Sequence, residues 1–239
     1  MLNHISITGA DDNTSITQLV ELNKNFPYAE WGILYFPEKE GAKRNPTKEW
    51  RKEFLANIPK DKTAIHLCGE DVFNEILSDN FDTSELKAEL SKFGRIQLNI
   101  NARKLKNLFT DEQIAAIYHK LLTSGFHIIA QYNHISENAI RKFIETNNVN
   151  YDYFDILLDS SLGKGVSPDT WTVPQGLSHK VTLGFAGGLN PENISNNYQK
   201  IDPITKNNYW LDLESGARTE NEFDLEKVKN ILNQFKNKI

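Results

Sequence analysis

Apolar residues in this chain collect in short runs that return at intervals of roughly 25–32 residues, with longer amphipathic segments between them. Within most runs the apolar residues are consecutive rather than alternating, which is typical of strands that are covered on both faces. The pattern therefore predicts eight β-strands, at His4–Thr8, Trp31–Phe36, Thr63–Cys68, Arg95–Asn99, His127–Gln131, Phe154–Asp159, Lys180–Phe185 and Tyr209–Leu213.

Between these runs, apolar residues recur at a spacing of three and four, which indicates helices with one buried face. One of these helices is predicted to begin at Asn190, because asparagine is a favoured N-cap and Pro191 then occupies the first helical position. The remaining predicted helices lie at Ser15–Asn25, Pro46–Leu55, Asp71–Leu77, Thr83–Leu90, Asp111–Leu122, Ser136–Thr146 and Phe223–Lys238.

Eight strands alternating with helices predict an α/β fold of the (β/α)8 barrel, or TIM barrel, type, for which about 250 residues is typical. An open, doubly wound sheet is the competing architecture. No segment has the composition of a linker, so we predict a single barrel domain over residues 1–239. In such barrels the chemistry is carried by residues at the carboxyl ends of the strands, and those junctions are where candidate site residues belong.

Composition narrows the function classes. The chain has 39% hydrophobic and 25% charged residues and a net charge of −5, which is ordinary for a globular protein and disfavours a nucleic-acid partner. No apolar stretch is long enough for a membrane helix and no secretory signal is present, so we expect a cytoplasmic protein without a membrane partner. The single cysteine excludes an intrachain disulfide, and the histidines show no i, i+4 pairing, so no metal site is predicted.

Two glycine-containing loops predict a phosphate site. Gly187 and Gly188 lie between the seventh predicted strand and a helix start, where bare backbone N–H groups and the positive end of a helix dipole can face an anion. An ordinary glycine turn is the alternative reading of this segment alone. Ser215 and Gly216 follow the eighth strand, and barrels frequently build a phosphate site from the loops after strands 7 and 8.

The end of the sixth predicted strand carries a candidate acid. Asp159 follows an apolar run, and partial burial at a barrel mouth would raise the pKa of its carboxyl and suit it to proton donation. The alternative is that Asp159 only caps a loop amide. Gly163 and Gly165 flank Lys164 in a segment that resembles a flexible lid, and the Walker A pattern is missing from it.

These motifs resemble those of the phosphoribosylanthranilate isomerase family of tryptophan biosynthesis. The segment 186–194, the Asp159 motif and the segment 212–216 are similar to that family's signatures after strands 7, 6 and 8, and weaker similarity extends to strands 2 and 4. The resemblance implies a TIM barrel of the ribulose-phosphate-binding type that performs a cofactor-free Amadori rearrangement. It further implies Asp159 as the general acid and Arg44, or next Arg51, as the anchor of a substrate carboxylate. The residues expected to bind the phosphate are Gly187, Gly188, Ser215 and Gly216, together with Gly163 and Gly165.

One departure from the family leaves the general base open. Thr8 stands where the family carries a catalytic cysteine, and a hydroxyl is too weakly acidic to serve as that base near neutral pH. Cys68, at the end of the third strand, and Asp11, after the first, are the candidate replacements. A small buried hydrophobe is the commoner fate of a lone cysteine, and His66, two residues before Cys68, is expected to be a core histidine.

Three functions therefore stay open: an aldose–ketose isomerase of the phosphoribosylanthranilate type, a related barrel enzyme acting on another phosphorylated metabolite, and a barrel that binds such a metabolite without turnover or serves as a scaffold. A proton acceptor near the substrate C2 carbon separates the first from the others. The expected partner is a phosphorylated small molecule, and we expect a monomer or a homodimer.

Overall fold

The consecutive apolar runs of the sequence form eight parallel strands, each paired with the next in chain order, and the last strand pairs with the first. The structure, a computed structural model, describes residues 1–100, 108–159, 167–177 and 181–239. Because the sheet closes, the barrel prediction is confirmed and the open sheet is excluded. The strands are β1 (Leu2–Thr8), β2 (Ala29–Tyr35), β3 (Thr63–Leu67), β4 (Arg95–Leu98), β5 (Ile128–Tyr132), β6 (Phe154–Asp159), β7 (Leu183–Ala186) and β8 (Tyr209–Leu213).

Helices cover the outside of the barrel, and several of them have a side-chain cap at the N-terminus. Ser15, Thr47 and Thr110 each accept a hydrogen bond from a backbone N–H in the first turn of the helix that follows, which satisfies a donor that the helix itself leaves unpaired. The helices are α1 (Ile16–Asn25), α2 (Lys48–Asn57), α3 (Glu70–Leu77), α4 (Glu85–Leu90), α5 (Asp111–Thr123), α6 (Glu137–Thr146), α7 (Ile194–Ile201) and α8 (Leu225–Asn233).

Two local features differ from the sequence-based expectation. The helix α7 begins at Ile194, although Asn190 does cap the turn before it by accepting hydrogen bonds from the N–H groups of Glu192 and Asn193. A short hairpin, β9 (Arg218–Thr219) with β10 (Glu222–Phe223), follows β8 and was not predicted. Strands of two residues are too short to leave a hydrophobic pattern in the sequence.

The barrel interior is layered along its axis. In the middle, Trp210, Leu157 and Ile129 pack together inside the barrel. A side chain on Gly184 would collide with the Trp210 ring, so glycine is required for the indole to lie across the barrel. This apolar layer forms a floor that separates the amino ends of the strands from the carboxyl ends.

Below that floor, buried charged side chains pair with one another. Arg95 donates to both oxygens of Glu30, over 2.8 and 2.6 Å, and to Asp155 Oδ2 over 2.8 Å. Its guanidinium lies 4.4 Å from the Trp210 ring centre, and the His4 ring stacks on the same indole. A depression of about 1140 Å³ opens at this amino end, and Arg95, Glu30 and Asp155 pair with one another on its wall.

None of the helices in the four described ranges is long and apolar enough to cross a membrane. The assignment of residues 1–239 to one domain stays a prediction.

Candidate active site

The carboxyl ends of the strands surround a polar mouth above the Trp210 floor. Ala186 on β7 is the register partner of Asp159 on β6 and also of Asp212 on β8. The three side chains therefore share one face of the sheet. Asp212 and Trp210 lie two residues apart on β8 and therefore also share a face. Both carboxylates consequently point into the barrel, on either side of the small Ala186 side chain.

Unpartnered polar atoms mark this mouth. Within the part of the chain that the structure describes, four buried side-chain atoms here have no hydrogen-bond partner, namely Thr8 Oγ1, His66 Nε2, Gln131 Oε1 and Asp212 Oδ1. A side chain on Gly32 would collide with Thr8 Oγ1 and lie 2.8 Å from His66 Nε2, so these two atoms both pack closely against Gly32. Buried polar atoms without partners are costly and rare in native proteins, and their concentration here indicates a binding site.

Asp159 lies where the sequence predicted, at the carboxyl end of β6. Its side chain is buried, and Oδ2 accepts a 2.7 Å hydrogen bond from Gln131 Nε2. The adjoining lid candidates Gly163 and Gly165 lie outside the described residues.

Asp212 has the most strongly perturbed carboxyl of the mouth. Burial is the main cause that raises its pKa from 3.8 to about 8, and the negative charges of Glu30, Glu214 and Asp159 add to the rise, while Arg95 opposes it. A carboxyl group in this range exchanges protons near neutral pH. Asp212 belongs to the segment 212–216 that resembles the family's strand 8 signature, and no role was predicted for it from the sequence. The available signal was a carboxylate inside a buried apolar strand, on the same face as a tryptophan.

The loops after β7 and β8 touch each other. A side chain on Gly216 would collide with the carbonyl oxygen of Leu189, so the second loop packs directly on the backbone of the first. Gly187 and Gly188 have φ values of 136° and 58°, which favour glycine. Asn193 Nδ2 fixes this loop by donating to the Gly188 carbonyl over 2.8 Å. Four of the six residues predicted to hold phosphate, namely Gly187, Gly188, Ser215 and Gly216, thus lie on adjoining loops.

Arg44 lies beside the strand 8 loop, where its Nη1 donates to Glu214 Oε1 over 2.7 Å and its Nε to Asn221 Oδ1 over 3.0 Å. Arg51, the second candidate for a carboxylate anchor, is buried in ion pairs with Glu40 and Glu89 at 3.2 Å each. Of the two arginines, only Arg44 is therefore placed next to the mouth.

Asp11 is held in the loop after β1. Its Oδ2 accepts from the Arg44 N–H over 2.8 Å and from Arg218 over 3.3 Å, and its Oδ1 accepts from the Asn13 N–H over 3.2 Å. With both oxygens engaged, Asp11 acts as an anchor for the loop, and the geometry does not favour it as a base.

Cys68 and His66 are both poor proton acceptors. Burial raises the pKa of the Cys68 thiol to about 11, against a smaller opposing effect of the Asn99 amide that donates to the sulfur. The thiol therefore stays protonated and non-nucleophilic near neutral pH. Burial likewise lowers the pKa of His66 to about 4, so this imidazole is neutral. His66 lies in the core, as expected, with 3% of its surface exposed. Its Nε2, however, lacks a hydrogen-bond partner among the described residues.

His127 lies away from the mouth. His127 lies at the amino end of β5, on the far side of the floor, with its Nε2 2.7 Å from Asp155 Oδ2. Among the residues that the structure describes, no three His, Cys, Asp or Glu side chains gather closely enough to hold a metal ion.

Comparisons with known proteins point to one family. The sequence profile of the family described as N-(5'phosphoribosyl)anthranilate (PRA) isomerase matches residues 101–234. The chain is 31% identical over 88 residues to N-(5'-phosphoribosyl)anthranilate isomerase of Thermoanaerobacter pseudethanolicus, which is 37% of the chain and 41% of that protein. It is 32% identical over 101 residues to the enzyme of the same name from Methanococcus aeolicus, which is 42% of the chain and 44% of that protein. The aligned regions thus span less than half the length of these two curated relatives.

A solved structure extends the similarity in fold to the whole chain. N-(5'-phosphoribosyl)anthranilate isomerase from Pyrococcus furiosus superposes with a TM-score of 0.54 and 18% identity, covering 98% of each chain. At this identity the superposition establishes the barrel fold alone.

Proposed function

The chain belongs to the N-(5'-phosphoribosyl)anthranilate isomerase family, and on this premise we propose that it isomerises a phosphorylated aminoaldose to the aminoketose without a cofactor. The observation that carries the proposal is the placement of two touching loops, with Gly187, Gly188, Ser215 and Gly216, beside a mouth that Asp159 lines. One end of the substrate then meets anion-binding backbone while its reacting carbons face a carboxyl group.

The loops after β7 and β8 bind the phosphate in this proposal. Glycine leaves room for a phosphate to approach the backbone, and N–H groups together with the positive end of the α7 dipole stabilise its negative charge. Arg44, next to the strand 8 loop, is the residue proposed to receive the carboxylate at the other end of the substrate.

Asp159 acts as the general acid. Its proton passes to the ring oxygen of the aminoaldose, and the ring opens to an iminium ion between C1 and the nitrogen. A proton acceptor then removes the hydrogen from C2, and the resulting enolamine rearranges to the ketone. Positioned proton transfer of this kind typically contributes about 100- to 10,000-fold to the rate.

The catalytic test uses purified protein and N-(5'-phosphoribosyl)anthranilate, with turnover followed by the fluorescence of the anthranilate group. The wild type is expected to turn over, and Asp159→Asn to lower kcat about 100-fold or more. Asp152→Asn is the matched control, because this exposed carboxylate precedes β6 at the amino end of the barrel. A wild type without turnover, or an Asp159→Asn variant as active as the control, would overturn the assignment.

The phosphate site has its own test in the same protein preparations. Titration calorimetry with inorganic phosphate is expected to give heat with the wild type and none with Gly188→Asp, whose carboxylate would repel the anion. Gly125→Asp is the control, because Gly125 also has a positive φ, of 82°, and open space around it. Equal binding by the two variants would contradict the proposed site.

A related reaction on another phosphorylated metabolite is the second candidate, favoured by Thr8 at the position of the family cysteine. In that case a panel of aldose phosphates would contain a better substrate than the anthranilate compound. The cytoplasmic location and the monomeric or homodimeric state stay predictions.

A further inference from the structure

We infer that Asp212 is the general base of this enzyme and takes over the role for which Thr8 is chemically unsuited. The inference rests on the proposed function and adds to it the identity of the group that accepts the C2 proton.

The position of Asp212 is the first argument. It lies across Ala186 from Asp159, at two strand spacings, which places the Cα atoms of the two acids about 10 Å apart. The methyl group of Ala186 is the only side chain between them in this register, so a sugar carbon chain has room between the two carboxyl groups. One group can then act on the ring oxygen while the other reaches the C2 hydrogen from the opposite side.

The unused hydrogen-bonding capacity of Asp212 is the second argument. Its Oδ1 is buried and has no hydrogen-bond partner among the described residues, although a buried carboxylate oxygen gains from every donor that it can reach. A carboxylate held without a partner at a site boundary remains available to a hydrogen of the substrate.

The other candidate bases are already engaged or electrostatically unsuited. Both oxygens of Asp11 accept hydrogen bonds within its loop. The Cys68 thiol and the neutral His66 imidazole are both poor acceptors for the reasons given above. Glu214, the remaining acid of the strand 8 motif, is held in an ion pair with Arg44 at 2.7 Å.

The charges around Asp212 suit proton abstraction. The groups that face it are Glu30 on β2, Asp159 on β6 and Glu214 beyond β8, which favour its protonated form, and Arg95 on β4, which favours its ionised form. Ionised Asp212 is consequently a much stronger base than a carboxylate in water, and a substantial ionised fraction exists near pH 8.

The proton and electron balance of the step is closed. Asp212 carboxylate takes the proton from C2 of the iminium ion, the electrons of that C–H bond form the C1–C2 double bond, and the electrons of the C1–N double bond return to nitrogen. Ketonisation then adds a proton to C1 and removes one from the C2 hydroxyl. C2 is oxidised and C1 is reduced within one molecule, so no external oxidant or reductant is needed.

The experiment compares wild type, Asp212→Asn, Asp152→Asn and the double variant Asp212→Asn with Thr8→Cys. Asp212→Asn is expected to lower kcat about 100-fold or more, while inorganic phosphate still binds as in the wild type. The wild-type kcat/KM is expected to increase with pH and to level off above an apparent pKa near 8. The residual kcat/KM of Asp212→Asn should lack this increase. The double variant restores a thiol at the strand 1 position and is expected to regain part of kcat.

The outcomes separate the inference from the function on which it rests. A wild type without turnover overturns both. An active wild type whose Asp212→Asn variant keeps kcat and the pH profile overturns the inference alone. If Asp212→Asn loses phosphate binding together with activity, Asp212 has a structural role, and the inference is likewise overturned.

Discussion

The carboxyl group of Asp212 should make this protein less stable as the pH rises, and replacing it should remove that contribution. Its side chain is buried, and its pKa in the folded state is about 8 instead of 3.8. Between these two values the unfolded chain has lost the proton while the folded chain retains it. Stability falls with rising pH wherever the folded state binds more protons, so the penalty from this group grows from about pH 4 to about pH 8 and stays constant above that range.

The magnitude follows from the same two values. The interval between 3.8 and about 8 spans about 4 pH units, and at about 1.4 kcal/mol per unit the upper limit is about 6 kcal/mol. Asparagine has nearly the same shape and no ionisation, so Asp212→Asn should match the wild type in free energy of unfolding near pH 4 and exceed it progressively above. We expect the difference to grow by up to about 1.4 kcal/mol per pH unit and to level off near pH 8.

Urea unfolding at several pH values, followed by tryptophan fluorescence in phosphate-free buffer, measures this difference. Phosphate is left out because a ligand that binds only the folded state would stabilise both proteins and obscure the comparison. The effects of all other titrating groups largely cancel in the difference between variant and wild type. Asp152→Asn, in which an exposed carboxylate is replaced, should show no such pH dependence. A difference between Asp212→Asn and wild type that is flat from pH 4 to pH 8 would refute the reasoning.

Two further predictions concern the layers below the mouth. Arg95→Met should lower the free energy of unfolding by about 3–5 kcal/mol in urea titrations, because Glu30 and Asp155 would be left as buried charges without their partner; Lys48→Met, which removes an exposed ion pair with Glu85, should cost less than about 1 kcal/mol. Equal effects would show that the buried network is not stabilising. Gly184→Ala should lower stability by about 1–3 kcal/mol and shift the emission of Trp210, since the added methyl group collides with the indole ring. An unchanged melting temperature and emission spectrum would contradict the account of the floor.

The polar mouth of the barrel carries buried groups that cost stability. Three of the unpartnered atoms, Thr8 Oγ1, His66 Nε2 and Asp212 Oδ1, belong to this mouth. At the amino end, by contrast, Arg95 forms hydrogen bonds with both Glu30 and Asp155. Natural proteins retain such unfavourable groups where activity depends on them. The contrast between the two ends of one barrel therefore separates a binding face from a stabilising one.

The elements of the barrel could be predicted because their signals are local. β6 and β8 have the predicted bounds, Phe154–Asp159 and Tyr209–Leu213, and α1 follows Ser15 as its cap. Apolar runs, capping residues and helical spacing lie within a few residues of one another, so the chain carries them without reference to the rest of the fold. The hairpin at Arg218–Phe223 was missed because two-residue strands have no periodicity to detect.

The sequence by itself determined the order of strands and helices, the position of Asp159 at a strand end, and the glycine loops that resemble a phosphate site. Only the tertiary structure decided the environment of each candidate proton acceptor. Asp11, Cys68 and Asp212 each stand at or near the carboxyl end of a strand in the sequence, and nothing local separates them. The pairing of Asp11 with Arg218, the burial of Cys68 and the field of Glu30 and Asp159 at Asp212 arise from residues far apart in the chain. Burial and electrostatic interaction depend on distance in space, and closure of the barrel is what sets those distances.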